Sequence, residues 1–398
     1  MAWFIPPTRL DPVEQLPFLQ QVENTPGRNH WIKGFAGSGK SVLLLHCLLI
    51  DKRRNPNTKA IIVLYTYSLI DMIKEGLPEE YKNTEVITFY QFRHRHDNYD
   101  LILVDEIQDL PEHDIREICS KTTTSGRVVF SLYINQSIYD HSTPNDTINT
   151  ILGIPENSTS TTLNRIWRLS KRIRKISSEY CNDSQNFLAA QVMEFNANVP
   201  VSLVKADSLE QEYKWLWTSS KEYGDAGYVP AILISNHDQI IQFISSVLQN
   251  ENKPPLKNEW TTGGDIQYSP INLHLKQNGI KLQYLGNKFG SFEEAHSKNL
   301  VTIITYHSSK GLDFKTVFIP FLNSDYQIWG DYAIARTLFF VALTRSREQL
   351  ILSYSREKHS FLTQALGAEC TPKNAVDELR RIQNPLGNLN NDNDVVVI

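Results

Sequence analysis

The feature of this 398-residue sequence that most constrains its fold is a glycine-rich segment between a predicted strand and a predicted helix. Residues 34–41 read GFAGSGKS, which fits the pattern G-x-x-x-x-G-K-[ST]. The short strand-like run 30–33 precedes the segment, and residues 41–50 have the apolar periodicity of a helix. Backbone N–H groups at such a helix N-terminus attract phosphate, so the segment predicts a nucleoside triphosphate site in an α/β domain.

Lys40 and Ser41 are the two side chains of this loop that carry chemistry. We expect the Lys40 ammonium to reach the β- and γ-phosphates and the Ser41 hydroxyl to bind Mg²⁺. The other expected triphosphate-binding residues of the loop contribute mainly backbone groups: Gly34, Gly37, Ser38 and Gly39. The alternative interpretation is a glycine-rich turn that binds no ligand.

A second carboxylate for Mg²⁺ is predicted at the end of a neighbouring strand. Residues 101–104 read LILV, an apolar run typical of a buried parallel strand, and Asp105 and Glu106 follow it directly. We expect Asp105 to bind the metal and Glu106 to act as general base on an attacking water, which implies hydrolysis rather than binding alone. The alternative for Asp105 is a helix cap after the strand.

Short β-branched runs alternate with helical patterns along most of the chain, which is typical of an α/β fold with parallel sheets. Predicted strands occur in both halves of the chain: residues 60–65, 85–88, 101–104, 127–132, 231–235, 280–285, 300–305, 316–320 and 349–353. Residues 141–162 are rich in Ser, Thr and Asn and indicate a linker. We therefore expect one α/β domain over residues 1–155, a second over 156–383 and a disordered tail over 384–398.

Composition is that of a globular protein, because 41% hydrophobic and 21% charged residues exclude a disordered or collagen-like chain. The sequence has no apolar run near the roughly 20 residues of a membrane span, and its N-terminus has no signal-peptide pattern. Its four cysteines are too scattered for a metal site and too few for a disulfide framework, so we expect a cytoplasmic protein. A net charge of −4 does not indicate a nucleic-acid binder, and a solvated helix face explains the basic run 165–175 by charge alone.

Residues 105–109 read DEIQD and resemble the DExQD motif of superfamily 1 helicases of the UvrD/Rep type. Further segments resemble motifs of that family in the family's order, namely the Q motif (10–15), motif Ia (62–69), the TFHSF segment (88–92), motif III (136–139), motif IV (163–173), motif V (305–314) and motif VI (341–347). The last two are the most specific and read TYHSSKGLDF and VALTRSR. The resemblance covers nearly the whole chain, residues 10–353.

The resemblance implies an α/β fold of two tandem RecA-like P-loop domains with parallel sheets, and ATP with Mg²⁺ in the cleft between them. It implies that Gln136 senses the γ-phosphate and that Arg168 and Arg345, both in the second half, bring positive charge to the phosphates when the domains close. Further residues expected at the nucleotide are Gln15 and Trp167 at the adenine, Asp313 at the ribose, and Gly311. The alternatives are a surface ion pair for Arg345, a solvated face for Arg168 and a core position for Trp167.

Single-stranded DNA is the partner that the resemblance implies, with RNA as an alternative strand. Single strands are bound through aromatic stacking and backbone contacts, so the candidates are aromatic and polar. Tyr65 and Thr66 match motif Ia, and three more lie in corresponding segments: Tyr90, Tyr139 and His141. His307 and Lys310 of motif V would contact phosphate or couple the ATP site to the strand. Each of the five side chains from motif Ia and its corresponding segments could equally be structural.

The sequence departs from the family pattern in several places. Leu132 and Tyr133 replace the Gly-Asp pair of motif III, Val42 stands where an arginine is common, and Asp313 replaces a glutamate. The spacing between motifs also leaves no room for the large accessory insertions of UvrD-type enzymes. Strand separation would then need a partner that supplies a wedge, and a separate nuclease or a loading protein are the partner classes that we expect.

Three classes of function follow from these features. The leading hypothesis is an ATP-dependent DNA helicase or translocase that couples ATP hydrolysis to movement on single-stranded DNA, with 3′–5′ polarity taken from the resemblance. The alternative is an ATP-gated regulatory subunit that binds nucleic acid or a partner without unwinding, which the altered motif III and the absent insertions favour. A P-loop kinase or transferase is the third class, and motifs V and VI argue against it.

Overall fold

The computed structural model describes residues 4–133, 153–155, 158–193, 199–261 and 266–384. The chain divides into two compact units. The first consists of Met1–Asn198, His307–Leu312 and Gly330–Thr344, and the second of Val199–Tyr306, Asp313–Trp329 and Arg345–Ile398. The motif V segment 307–312 therefore belongs to the first unit, although both of its neighbouring segments belong to the second.

The first unit is built on a six-stranded sheet in the order β3-β2-β4-β5-β1-β6, and all of its strand pairs are parallel. Its strands are β1 (His30–Gly34), β2 (Ala60–Leu64), β3 (Glu85–Thr88), β4 (Tyr99–Val104), β5 (Thr122–Leu132) and β6 (Thr159–Leu163). Strand β2 and residues 101–104 of β4 are apolar runs because parallel sheets are buried on both faces. A separate two-stranded parallel sheet joins β7 (Arg165–Ile166) to β8 (Gln191–Val192).

The helices of this unit connect its strands and contribute to its core. They include α1 (Gln15–Asn24), α2 (Lys40–Arg54), α3 (Ser68–Gly76), α4 (Phe89–Arg93), α5 (Glu112–Ser120), α6 (Lys171–Ser178) and α7 (Ser184–Ala189). Helix α2 begins at Lys40 of the glycine-rich loop, and its residues 42–50 are all buried. The side chains of Trp31, Phe92, Ile102 and Phe130 belong to one buried apolar cluster, which fixes the strands that carry the site.

The second unit contains a seven-stranded sheet in the order β11-β12-β10-β13-β14-β9-β15, also with parallel pairs throughout. Its strands are β9 (Val201–Lys205), β10 (Ala231–Ile234), β11 (Leu282–Tyr284), β12 (Val301–Thr305), β13 (Phe314–Ile319), β14 (Ser346–Tyr354) and β15 (Thr371–Asn374). Its helices include α8 (Leu209–Asp225), α9 (His237–Asn250), α10 (Tyr268–Gln277), α11 (Phe292–Lys298), α13 (Gln364–Ala368) and α14 (Ala375–Gln383), while α12 (Tyr332–Leu343) belongs to the first unit. Within the described residues, no helix has both the length and the apolar character needed to cross a membrane.

The structure differs from the sequence-based expectation between the two halves of the chain. Part of the predicted linker 141–162 is the strand β6, which pairs with β1 along its whole length. The sequence does not predict this strand because it reads TSTTL, with half-buried and exposed side chains alternating over residues 159–162 at the edge of the sheet and only Leu163 fully buried. The first unit consequently continues to Asn198, beyond the expected boundary at 155/156.

Candidate active site and nucleic-acid face

The glycine-rich loop and the acidic pair meet at one edge of the first sheet. The loop follows β1 and the acidic pair follows β4, with β5 between these two strands. Because the three strands are parallel, their carboxyl ends lie at the same edge, where open α/β sheets bind ligands. Gly37 and Gly39 have φ angles of 78° and 94°, which L side chains rarely adopt and which let the loop turn tightly into α2.

The Lys40 side chain is buried within the loop that precedes it. Its Nζ donates to the carbonyl oxygens of Gly34 and Phe35, each at 3.1 Å. The same nitrogen lies 5.6 Å from the centroid of the Tyr133 ring, which is a cation–π distance. The ammonium therefore lies inside the turn of the loop, at the start of α2, where an anion would also be favoured by the helix N-terminus.

Ser41 and Asp105, the two predicted Mg²⁺ ligands, are in direct contact. The Ser41 hydroxyl donates to Asp105 Oδ2 at 2.5 Å, and the Ser131 hydroxyl at the end of β5 donates to Oδ1. Burial raises the pKa of Asp105 above its ordinary value and Glu106 adds to this effect, whereas the two serine hydrogen bonds oppose it. A hydroxyl and a carboxylate oxygen side by side suit Mg²⁺, which is commonly bound through few protein oxygens together with phosphates. The residues present therefore fit the metal that the sequence implies.

Glu106 has an uncommon backbone conformation, and its carboxylate has buried hydrogen-bond and ion-pair partners. Its φ is 58°, in the left-handed region that costs a non-glycine residue about 1–2 kcal/mol. Gln108 Nε2 donates to Glu106 Oε2 at 2.5 Å, and Gln108 Oε1 accepts from the Tyr133 backbone N–H at 3.1 Å. Lys310 Nζ lies 3.5 Å from the same Oε2, with 1% and 8% of the two side chains exposed. Strain held by surrounding contacts in this way is typical of functional sites.

Gln15, predicted to read adenine, contacts the glycine-rich loop. Its Nε2 donates to the Ser38 carbonyl at 3.1 Å, and its Oε1 accepts from the Asp11 backbone N–H at 2.9 Å. A Cβ at Gly39 would lie 2.5 Å from Gln15 Nε2, so the loop and this amide are closely packed. The amide braces the loop, and its recognition of adenine stays a prediction.

Trp167 and Arg168 also pack against this loop. The Trp167 backbone N–H donates to the Gly37 carbonyl at 2.9 Å, and a Cβ at Gly37 would lie 2.8 Å from the Arg168 Cβ. The expectation that Arg168 comes from the second domain differs from this placement in the first unit. The reason is β6, which pairs with β1 and carries the following residues past the loop. Contact of Arg168 with phosphate and of Trp167 with adenine remain predictions.

The other predicted nucleotide residues are divided between the two units. Arg345 belongs to the second unit and is 1% exposed, and its carbonyl oxygen accepts from the Phe314 N–H at 2.9 Å. Asp313 is in the same unit, with Oδ2 3.9 Å from Arg347 Nε. Gly311 belongs to the first unit and has a φ of 81°. Their roles at the nucleotide stay predictions.

Several predicted nucleic-acid residues come together in the first unit. The Tyr65 and Tyr90 rings lie 6.4 Å apart between centroids, and Tyr90 is 56% exposed, which leaves a face for stacking. The Ser68 hydroxyl beside Thr66 donates to the Ser308 carbonyl at 2.6 Å. This bond ties motif Ia to the motif V segment, where His307 is half-buried and Lys310 contacts Glu106. Gln136, Tyr139 and His141 lie outside the described residues.

Three residues of the site were given no role by sequence reasoning. Gln108 is a position of the DEIQD motif to which the sequence assigns no role, and Tyr133 is distinguished in the sequence only as a departure from motif III. Ser131 carried no signal, because its contact with Asp105 depends on the neighbouring positions of β4 and β5 in the sheet.

Two parallel sheets of six and seven strands, with the glycine-rich loop on the first, give this chain the fold of the tandem RecA-like class. The S. cerevisiae Dbp5 structure, bound to RNA and ADP BeF3, has a TM-score of 0.52 at 14% identity, over 93% of this chain and 92% of its own. This likeness concerns the fold and confirms the predicted fold class. The PRRSV helicase structure has a TM-score of 0.42 at 14% identity, over 84% of this chain and 54% of its own.

Within this class, residues 280–357 match the family model of the UvrD-like helicase C-terminal domain. That part of the chain is therefore similar to the C-terminal domain of UvrD-like helicases, and the resemblance drawn from motifs V and VI is confirmed. A segment of 95 residues is 33% identical to a probable DNA helicase II homolog of Mycoplasma capricolum subsp. capricolum. The aligned segment is 22% of this chain and 13% of that protein.

Proposed function

We propose that this protein is an ATP-dependent DNA helicase or translocase of the UvrD-like type, which couples ATP hydrolysis to movement on single-stranded DNA. The observation that carries the proposal is the convergence of Lys40, Ser41, Asp105 and Glu106 at one edge of a parallel sheet. The UvrD-like match over residues 280–357 supports the helicase class.

Each residue of the convergence has a task in this proposal. Ser41 and Asp105 hold Mg²⁺, which supplies positive charge at the phosphates. Lys40 exchanges its two backbone carbonyl acceptors for phosphate oxygens, so its ammonium keeps hydrogen-bond acceptors and gains anionic ones. Glu106 accepts a proton from the attacking water, and Gln108 and Lys310 hold its carboxylate in place.

The nucleic-acid side of the proposal relies on residues of motif Ia and the segment after it, which are linked to Glu106 through the motif V segment. Tyr65 and Tyr90 offer aromatic faces on which bases stack. The Ser68–Ser308 hydrogen bond and the Lys310–Glu106 pair connect this face to the general base. Binding of a strand is therefore able to alter the position of the carboxylate. The 3′–5′ polarity is taken from the family resemblance.

An ATP-gated binding subunit without unwinding is the second candidate. The observation that favours it is the end of β5, where Leu132 and Tyr133 stand in place of the Gly-Asp pair of motif III. A site that binds ATP without transmitting its hydrolysis to a strand would retain nucleotide-dependent partner binding alone.

Steady-state ATP hydrolysis with and without single-stranded DNA tests the proposal on the wild type and Lys40→Ala. We expect stimulation by DNA in the wild type and a loss of at least about 100-fold in the variant, because electrostatic stabilisation of the phosphates is lost. Parallel reactions with single-stranded RNA show whether DNA or RNA stimulates hydrolysis. Clear turnover that neither strand changes would contradict the motor and favour the binding subunit.

A further inference from the structure

Tyr133 contacts both halves of the candidate ATP site. It follows β5 directly, and 4% of its surface is exposed. Its ring centroid lies 5.6 Å from Lys40 Nζ, and its backbone N–H donates to Gln108 Oε1 at 3.1 Å. Gln108 in turn donates to Glu106. Tyr133 thus contacts Lys40 directly, and it is linked to Glu106 through the side-chain amide of Gln108.

The Tyr133 ring is fixed in its position by several neighbours. Phe35 of the glycine-rich loop lies edge-on to it at 5.5 Å between centroids, and Phe340 of α12 lies at 6.3 Å. Phe187 contacts both of these rings, at 5.6 Å and 5.4 Å. At its far end the Tyr133 hydroxyl lies 3.4 Å from the buried thiol of Cys181. Since aromatic rings surround it and the hydroxyl has a partner, the ring has little freedom to turn away from Lys40.

An aromatic ring at this place has a different electrostatic effect from the aspartate of the helicase pattern. A carboxylate near Lys40 would form an ion pair that competes with phosphate for the ammonium. The ring attracts the ammonium through its quadrupole and carries no formal charge. It therefore holds the ammonium in place and leaves its full charge available to a phosphate.

We propose that Tyr133 is a positioning residue of the ATP site, which holds the Lys40 ammonium where the β- and γ-phosphates bind. The inference rests on the proposed ATP site, but it does not require DNA stimulation or movement. It assigns the work to the ring face rather than to the hydroxyl, because the ring faces Lys40 and the hydroxyl faces Cys181.

Equilibrium binding of fluorescent ATP and ADP analogues with Mg²⁺ tests this role. Tyr133→Leu removes the ring face, and we expect the Kd for the ATP analogue to rise roughly 5- to 30-fold, the range of a desolvated cation–π contact. The Kd for the ADP analogue should rise less, because one of the two phosphates that Lys40 reaches is missing. Tyr133→Phe keeps the ring and should bind both analogues as the wild type does.

Two further variants separate positioning from general destabilisation. Phe130→Leu removes a buried ring from β5, the strand that Tyr133 follows. This ring packs against Trp31 rather than Lys40, so the ratio of the Kd values for the ATP and ADP analogues should not change. In a Lys40→Ala background, Tyr133→Leu should have no further effect on ATP binding.

Unchanged ATP binding by Tyr133→Leu, or the same loss with and without Lys40, would overturn the inference. A wild type that binds no ATP would overturn both this inference and the proposed function. Wild-type turnover that ignores DNA would contradict the proposed function alone.

Discussion

Replacing Lys310 with methionine would leave the buried Glu106 carboxylate without the ammonium that lies 3.5 Å from it. With 1% and 8% of the two side chains exposed, solvent screens the pair weakly. At an effective dielectric constant of about 20, the attraction at 3.5 Å is about 5 kcal/mol. Loss of one partner of a buried pair typically costs about 3–5 kcal/mol. We expect the lower part of that range, because the Gln108 amide also donates to Glu106.

The measurement is the free energy of unfolding in urea for the wild type, Lys310→Met, Glu106→Gln and the double variant. In the Glu106→Gln background no carboxylate is left behind, so the lysine substitution should cost about 2 kcal/mol less than in the wild type. Lys298→Met is a matched control, because it removes a lysine 49% exposed from a pair with Glu294 and should cost less than about 1 kcal/mol. Equal costs of Lys310→Met in both backgrounds would refute the assignment of a charged, buried pair.

Two other substitutions test the loop and the second unit. Gly37→Ala would place a Cβ 2.8 Å from the Arg168 Cβ at a φ of 78°. We therefore expect a loss of about 1–3 kcal/mol in stability and at least about tenfold in ATP affinity. The control Gly227→Ala, at a φ of 82° with no atom within 4 Å, should show only the backbone cost in stability and an unchanged ATP affinity. Burial raises the pKa of Glu212, whose Oε1 accepts from the Phe321 N–H and the Ser353 hydroxyl. Because the pKa is raised in the folded state, the stability that Glu212 contributes is present below the ordinary carboxyl pKa and falls as pH rises through the folded value. We therefore expect Glu212→Gln to be more stable than the wild type at pH 8 and to lose that advantage at pH 4. Urea unfolding at both pH values measures this difference, and a gain in stability that does not depend on pH would contradict the reasoning.

Most of the strands, and the contact between the two candidate Mg²⁺ ligands, could be predicted from the sequence. The run LILV predicted a buried strand, which lies within β4, because parallel strands buried on both faces must be apolar throughout. The parallel arrangement then requires Asp105 and the glycine-rich loop to share an edge of the sheet, and Ser41 indeed contacts Asp105. These features follow from local pattern and strand direction alone.

Contacts between distant parts of the chain could not be predicted in the same way. The strand β6 lies at a sheet edge, where one side chain in two faces outward, so its polar TSTTL sequence is typical of a linker. Its pairing with β1 determines that Arg168 packs on Gly37 in the first unit. The Lys310–Glu106 pair likewise depends on the inclusion of the motif V segment in that unit, which no local pattern signals.

The arrangement around Glu106 explains how a strand could control hydrolysis in the proposed function. Glu106 holds a left-handed backbone at a cost of about 1–2 kcal/mol, and its carboxylate is fixed by Gln108 of the same motif and by Lys310 of the motif V segment. One of these groups, Lys310, lies two residues from Ser308, whose carbonyl accepts from Ser68 beside the nucleic-acid candidate Thr66. A shift of this face therefore reaches the general base through contacts of 2.6 Å and 3.5 Å, all within one compact unit. Because a strained residue returns readily to an ordinary conformation when its partners move, loss of the Lys310 contact when no strand holds this face would displace the carboxylate and slow hydrolysis, in line with the expected stimulation by DNA.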